Sequence, residues 1–300
     1  MNMRDIKPLY IILSIFFILT SCEDAFETTL EIEPPEAPQA LVMNCYIGQN
    51  DTLINMGISK VADLVEVDFA LSKIDDAEVF IRNINSGEEK AFMPWETNNP
   101  YNYVQECDSD WFQPGEEYEI VATHPDYNTI SATQLMPEVP TFTIREYNED
   151  GGIDQEGDDA SEIILDIDDL PGASYYELSL FEYYEQDGFV SLGSAIELSS
   201  TDPSTLEGYN YFSLLMEDAT FDGESKSITL KFRRNYTNHD RLALVIRGVT
   251  EDYFRCSKTL ELEDESEDNP FQTPVQVYTN VESGFGIFSM HSEKSFIFDS

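Results

Sequence analysis

The chemistry that this sequence declares most clearly belongs to Cys22, the last residue of Leu19-Thr20-Ser21-Cys22. A branched apolar residue three positions before a cysteine, with a small residue directly before it, lets the thiol be diacylated and the leader be cut away. That spacing predicts lipidation at Cys22. Arg4 and Lys7 supply the positive start of a secretory leader, and Leu9 to Leu19 supplies its apolar run. The run is shorter than the roughly 20 apolar residues a membrane-spanning helix needs. Two or more acyl chains, at about 0.8 kcal/mol per buried CH₂, hold a protein stably to a bilayer where one does not. The plainer reading, an ordinary cleaved signal whose Cys22 later joins a disulfide, leaves the coincidence of charged start, apolar run and lipobox unexplained.

Other residues offer weaker chemistry. Beyond Cys22 the chain has Cys45, Cys107 and Cys256. Cys45 and Cys107 both fall on strand-like segments of the first half, so they are a candidate disulfide, the alternative being buried free thiols that act as small hydrophobes. No CxxC motif occurs, so neither a redox dithiol nor a cysteine zinc site is expected. The sequence lacks G-x-S-x-G, H-E-x-x-H and G-x-x-x-x-G-K-[ST], and its three histidines, His124, His239 and His291, are far apart. No catalytic residue and no metal ligand is assigned on these grounds, and the expectation is a protein that is not an enzyme. His124 precedes Pro125-Asp126 and reads as an exposed turn histidine. The acidic loop Asp150 to Asp159 invites calcium, a hard ion that takes oxygen ligands. It does not match an EF-hand: with Asp154 first, Asp159 takes the glycine position and Leu165 the bidentate glutamate position. A solvated loop is therefore expected over a calcium site. Trp95, Tyr101, Tyr103, Trp111 and Phe112 cluster about Asn98-Asn99-Pro100. Of these Trp95, Tyr101, Tyr103 and Trp111 are the candidate ligand contacts, since rings beside amide side chains can stack on and hydrogen-bond a sugar or peptide.

The elements that position these residues read as β-structure. With Lys+Arg 16 against Asp+Glu 59 the formal charge is -43, which excludes nucleic acid as a partner and leaves the lipid anchor as the route to the membrane. A hydrophobic content of 41%, with 19 Phe and 16 Tyr, is enough to build a sizeable core. Residues 1–21 are the expected signal peptide and 22–39 an acidic, proline-rich tether that cannot form a core. From residue 40 short runs alternate with period two between turn residues: Leu41 to Ile47, Thr52 to Ile58, Val79 to Arg82, Glu117 to Ala122 and Thr129 to Leu135. Roughly seven short strands in such a span is the profile of an immunoglobulin-like sandwich. The reading is an all-β chain of two β-sandwich (immunoglobulin/fibronectin-like) domains, 40–139 and 140–300, with one short helix in the second. Within the latter, Leu242 to Ile246 is a continuous apolar run expected to be buried on both faces. Glu251 to Leu262 places Tyr253, Cys256 and Leu260 on one helical face. Glu263 to Asp268 reads as an acidic loop.

The ending Asn269-Pro270-Phe271, Pro274 to Val281 and Gly284 to Phe288 closely resembles the lipoproteins grouped as domain-of-unknown-function family 4249, as do the lipobox, the Ala40 to Ile47 strand and the Asp218 to Gly223 segment. The resemblance implies an outer-membrane lipoprotein, often encoded beside a TonB-dependent receptor, and it implies no active site. Glu23, Asp24 and Glu27, directly after Cys22, resemble the acidic signal that exports some lipoproteins to the outer face of a Gram-negative outer membrane. The expected role is a non-catalytic accessory, capturing or gating a ligand for a TonB-dependent nutrient transporter at the cell exterior. A structural or adhesive surface lipoprotein is the alternative, and a surface hydrolase a distant one.

Overall fold

The computed structural model describes residues 38–61, 72–96, 100–154, 156–186, 188–208, 212–233, 241–267 and 275–299. Cys22, the leader and nearly all of the tether lie outside them, as do Asn98, Asn99, His239 and the Asn269-Pro270-Phe271 turn.

In the first half the alternation becomes strands. β1 (Leu41–Gly48) and β2 (Leu53–Lys60) pair antiparallel, burying Met43, Cys45, Ile47, Ile54, Met56 and Ile58 on one face. β3 (Glu78–Asn83), β4 (Glu89–Ala91), β7 (Glu117–Thr123) and β8 (Ile130–Leu135) form a four-stranded sheet in the order β4-β3-β7-β8. Its buried Val79, Ile81, Tyr118, Ile120, Ala122 and Ile130 complete one core with the β1 and β2 residues. β5 (Met93–Pro94) and β6 (Tyr103–Glu106) extend the β1–β2 sheet to its edge.

In the second half, β9 (Thr141–Asn148), β10 (Ala160–Asp168) and β15 (Ser225–Arg233) form a three-stranded sheet in the order β15-β10-β9. Its inward Phe142, Ile163, Leu165, Ile167, Ile228, Leu230 and Phe232 meet Leu178, Leu180, Leu242, Leu244 and Ile246 in a second core. The latter come from β11 (Tyr175–Gln186) and β16 (Arg241–Val249), and β16 is buried on both faces as its apolar run requires. β12 (Phe189–Ile196), β13 (Thr205–Glu207) and β14 (Ser213–Glu217) flank β11.

One long strand joins the halves. β17 (Phe285–Asp299) runs parallel to β1 from Val42↔Phe285 to Gly48↔His291 and antiparallel to β16 from Val249↔His291 to Arg241↔Asp299. The result is a continuous ten-stranded sheet, ordered β13-β14-β11-β16-β17-β1-β2-β6-β5 with β12 on β11. The two smaller sheets pack on it over separate cores. The division expected between 139 and 140 falls between residues of the two cores, but Val281, Phe288 and Met290 return to the first. Gly286 makes the parallel contact feasible: its φ is +100°, and a Cβ there would lie 2.1 Å from the Met43 carbonyl oxygen.

The helix α1 (Glu251–Glu267) packs against β17 and β11. Thr250 caps it, its hydroxyl accepting the Tyr253 amide at 3.3 Å, and Glu251 and Asp252 in the first turn suit the helix dipole. Its buried face carries Phe254, Cys256 and Ser257. The helix continues through Glu263 to Glu267, where the acidic composition had suggested a loop. Glutamate is a good helix former, and neither glycine nor proline intervenes before Pro270.

Candidate functional site

Three connections converge on a cleft of about 550 Å³. They are the Met136–Pro140 link between β8 and β9, the 169–174 loop between β10 and β11, and the passage from β16 through Thr250 into α1. Met136 continues the backbone pairing with Gly115 and Glu116, but the two prolines that follow lack amide hydrogens, so the rest of the link needs other anchors. Gly248 provides one, since a Cβ there would sit 2.8 Å from the Glu138 carbonyl oxygen. The Ser292 hydroxyl donates to that same oxygen at 2.6 Å. On the helix side, Asp252 accepts hydrogen bonds from Gln134 of β8, from the Tyr278 hydroxyl and from Asn280 at 3.0 Å. Asn280 also brackets the backbone of Phe288, donating to its carbonyl at 2.7 Å and accepting its amide at 3.0 Å. The walls are therefore tied to both halves of the central sheet.

Behind the cleft wall, Asp169, Asp218 and Asp222 converge, with one oxygen of each lying within 4.8 Å of the others. Each carboxylate shapes the 169–174 loop or the turn facing it. Asp169 accepts the Gly223 amide at 2.8 Å and the Tyr176 hydroxyl; Asp218 accepts the Ser174 amide at 2.7 Å; Asp222 accepts the Gly172 amide at 2.8 Å. Burial, followed by the charges of Asp169 and Asp222, holds the Asp218 carboxyl above its ordinary range. Burial and the bond to Asp169 likewise push the Tyr176 phenol upward. Three hard oxygens at this spacing could hold a divalent cation. The sequence offers little to find the cluster by, because its members sit on two connections some fifty residues apart.

The acidic loop, expected to be solvated, has Arg233 as its own cation. Asp154 accepts the Glu156 and Asp158 amides at 2.9 Å each, and the Arg233 guanidinium binds Asp154 at 3.0 Å while reaching Glu156 and Asp158. Hydrogen bonds from the loop backbone and from Arg233 hold the Asp154 carboxyl below its ordinary range.

The aromatic candidates divide. Trp95 is 42% exposed and Tyr101 is half-buried, but Tyr103 and Trp111 are core residues. Tyr103 bonds through its hydroxyl to the backbone of Ala77, and Trp111 packs edge-on against Phe112 at 4.8 Å between ring centroids. Neither offers a ring to a ligand. The candidate disulfide is corrected as well: Cys45 and Cys107 are buried free thiols, as is Cys256. Burial pushes the Cys107 and Cys256 thiols up to about 11 and Cys45 further in the same direction. His124, expected to be exposed, is buried against Tyr127 and lies 3.1 Å from Asp76.

A second polar cluster lies beneath α1. In register across β11, β16 and β17, Glu177, Arg247 and Glu293 form an ion-paired row, with Arg247 at 2.9 Å from Glu177 and 3.1 Å from Glu293. Tyr253 of the helix donates to Glu177 at 2.7 Å. This arrangement fastens helix to sheet.

Fold and site together describe an all-β protein whose two packed cores share one sheet, with the cleft at the connections between them. The chain belongs to the family described as domain of unknown function DUF4249, which it matches over residues 27–297. No curated protein matches it. Among solved structures it is similar to a DUF4785 family protein from Legionella pneumophila, at 12% identity and a TM-score of 0.24, over 69% of this chain and 51% of that one. The full-length major pilin SpaD from Corynebacterium diphtheriae follows at 10% identity and a TM-score of 0.23, over 88% and 66%. A collagen adhesin from S. aureus has 8% identity and a TM-score of 0.20, over 87% and 95%. The chain thus spans about half to two thirds of the length of the first two. At such scores these likenesses carry no argument, and the fold rests on the strand pairing itself.

Proposed function

We propose that this is an outer-membrane lipoprotein, anchored through Cys22 and facing the cell exterior, that captures or gates a ligand as a non-catalytic accessory of a TonB-dependent transporter. The observation that carries the reading is the cleft. Its walls are fixed by Gly248, Ser292 and Asp252, and its volume falls within the range of small-ligand pockets. The three aspartates behind its wall are occupied in holding backbone: Asp169, Asp218 and Asp222 each accept a main-chain amide. A cleft whose walls are anchored in this way suits binding with little reorganisation. Lipidation would keep it beside a membrane transporter.

The test is extraction of native membranes in mild detergent. Co-purification of a β-barrel receptor with this protein is the expected result. A protein that extracts alone and adheres to a matrix polymer would instead support the adhesive reading. One feature favours that second reading: β12 is an uncharged strand at the sheet margin, with Phe189 81% exposed and Val190 and Leu192 also exposed. Among the described residues it pairs with β11 alone, and an uncharged edge of this kind favours strand pairing with another chain.

A further inference from the structure

The lining of the cleft restricts what can enter it. Leu135, Val139 and Leu170 turn exposed apolar side chains toward it, and Tyr175 adds a half-buried ring. Among the described residues its charged lining is Glu138, Asp168, Glu251 and Asp252, with no lysine, arginine or histidine. Two of the four already have partners: Asp252 serves Gln134, Tyr278 and Asn280, and Glu251 pairs with Arg255. Glu138 and Asp168 are exposed and form no ion pair among the described residues.

An anionic ligand would enter the field of a chain of net charge -43 and find no basic side chain among the described lining residues to receive it. A small hydrophilic cation would leave three apolar side chains in water, and a purely apolar ligand would forgo two unpaired carboxylates. A ligand with both an apolar body and positive groups satisfies the whole lining. Taking the cleft as the capture site, we propose that it binds a cationic amphipathic peptide segment, in which arginine or lysine alternates with large apolar residues. The apolar side chains would fill the space between Leu135, Val139 and Leu170 while the cations meet Glu138 and Asp168.

The experiment uses the full chain in non-ionic detergent and three hexapeptides, alternating arginine–leucine, glutamate–leucine and arginine–serine, titrated calorimetrically. The arginine–leucine peptide should bind at least tenfold more tightly than the others. Because so acidic a chain attracts any cation, the variants decide the matter. Ala173→Trp fills the cleft and should abolish binding, and Leu170→Ser, which strips its apolar wall, should weaken it at least fivefold. Glu138→Gln combined with Asp168→Asn should weaken it about five- to twentyfold, and raised salt should do the same. Unchanged melting curves show that each variant folds. Equal binding of the glutamate–leucine peptide, with no loss in the carboxylate double variant, would overturn the cationic class while leaving the cleft as the site. Failure of all three peptides to bind would overturn the class as well. Wild-type binding by both Ala173→Trp and Leu170→Ser would place the ligand elsewhere and remove the capture-site reading itself.

Discussion

A glycine, the buried cysteines and one aspartate make sharp demands on the molecule. Gly286 is the least replaceable, because its positive φ and the 2.1 Å approach to the Met43 oxygen leave no room for a side chain. Gly286→Ala should cost about 3 kcal/mol or more and be recovered mostly in insoluble form. Buried thiols make a second test: Cys45, Cys107 and Cys256 should resist a maleimide in the native protein and take up three labels on denaturation without reductant. Asp218 gives a pH signature. Its folded-state carboxyl is held above its ordinary value, so its ionised form costs stability at neutral pH. That cost is relieved as pH falls through the raised value toward the unfolded one. Asp218→Asn keeps an oxygen for the Ser174 amide and removes the repulsion, so Tm at pH 7 should rise by about 1–3 °C, with the gain shrinking toward pH 4.

At the scale of elements, α1 is held by chemistry more than by its own propensity. The acidic residues of its last turns have no basic partner in that turn, so the Tyr253–Glu177–Arg247 connection matters. Glu177→Ala leaves Arg247 with the exposed Glu293 as its one ion-pair partner among the described residues and should lower stability by about 3 kcal/mol, read by chemical denaturation. Arg233→Met should release the 150–159 loop, seen as faster amide exchange there with the core unchanged. Much of the strand content was legible because period-two alternation is local: Leu41 to Ile47, Glu117 to Ala122 and the apolar run of β16 all emerge as strands. Tyr103 was harder. It begins a four-residue strand, too short for alternation to say which face is inward. The cleft and the aspartate cluster were not legible at all, since turns that meet there are adjacent only through strand pairing. The Arg233 anchor was hidden for the same reason, lying nearly eighty residues from its loop.

For the whole molecule, the proposed anchor and the charge govern what it would meet. Cys22→Ser should move the protein from the membrane pellet to the soluble fraction, with its melting curve unaltered. Protease treatment of intact cells should cut the wild type if it faces outward. The insertion of β17 between β1 and β16 bears on how the protein comes to be folded. The first strand of the sheet cannot gain its parallel neighbour until the last strand arrives, so the central contacts are among the most distant in the chain. Such a topology folds slowly and exposes unpaired edges while it waits. As the chain emerges from its amino end, each half can gather its small sheet early, but the sheet common to both closes only when residues 285–299 are delivered. A molecule interrupted just short of its end would therefore lose the integrity of both halves, and its acidic surface would help to keep the waiting intermediate from aggregating.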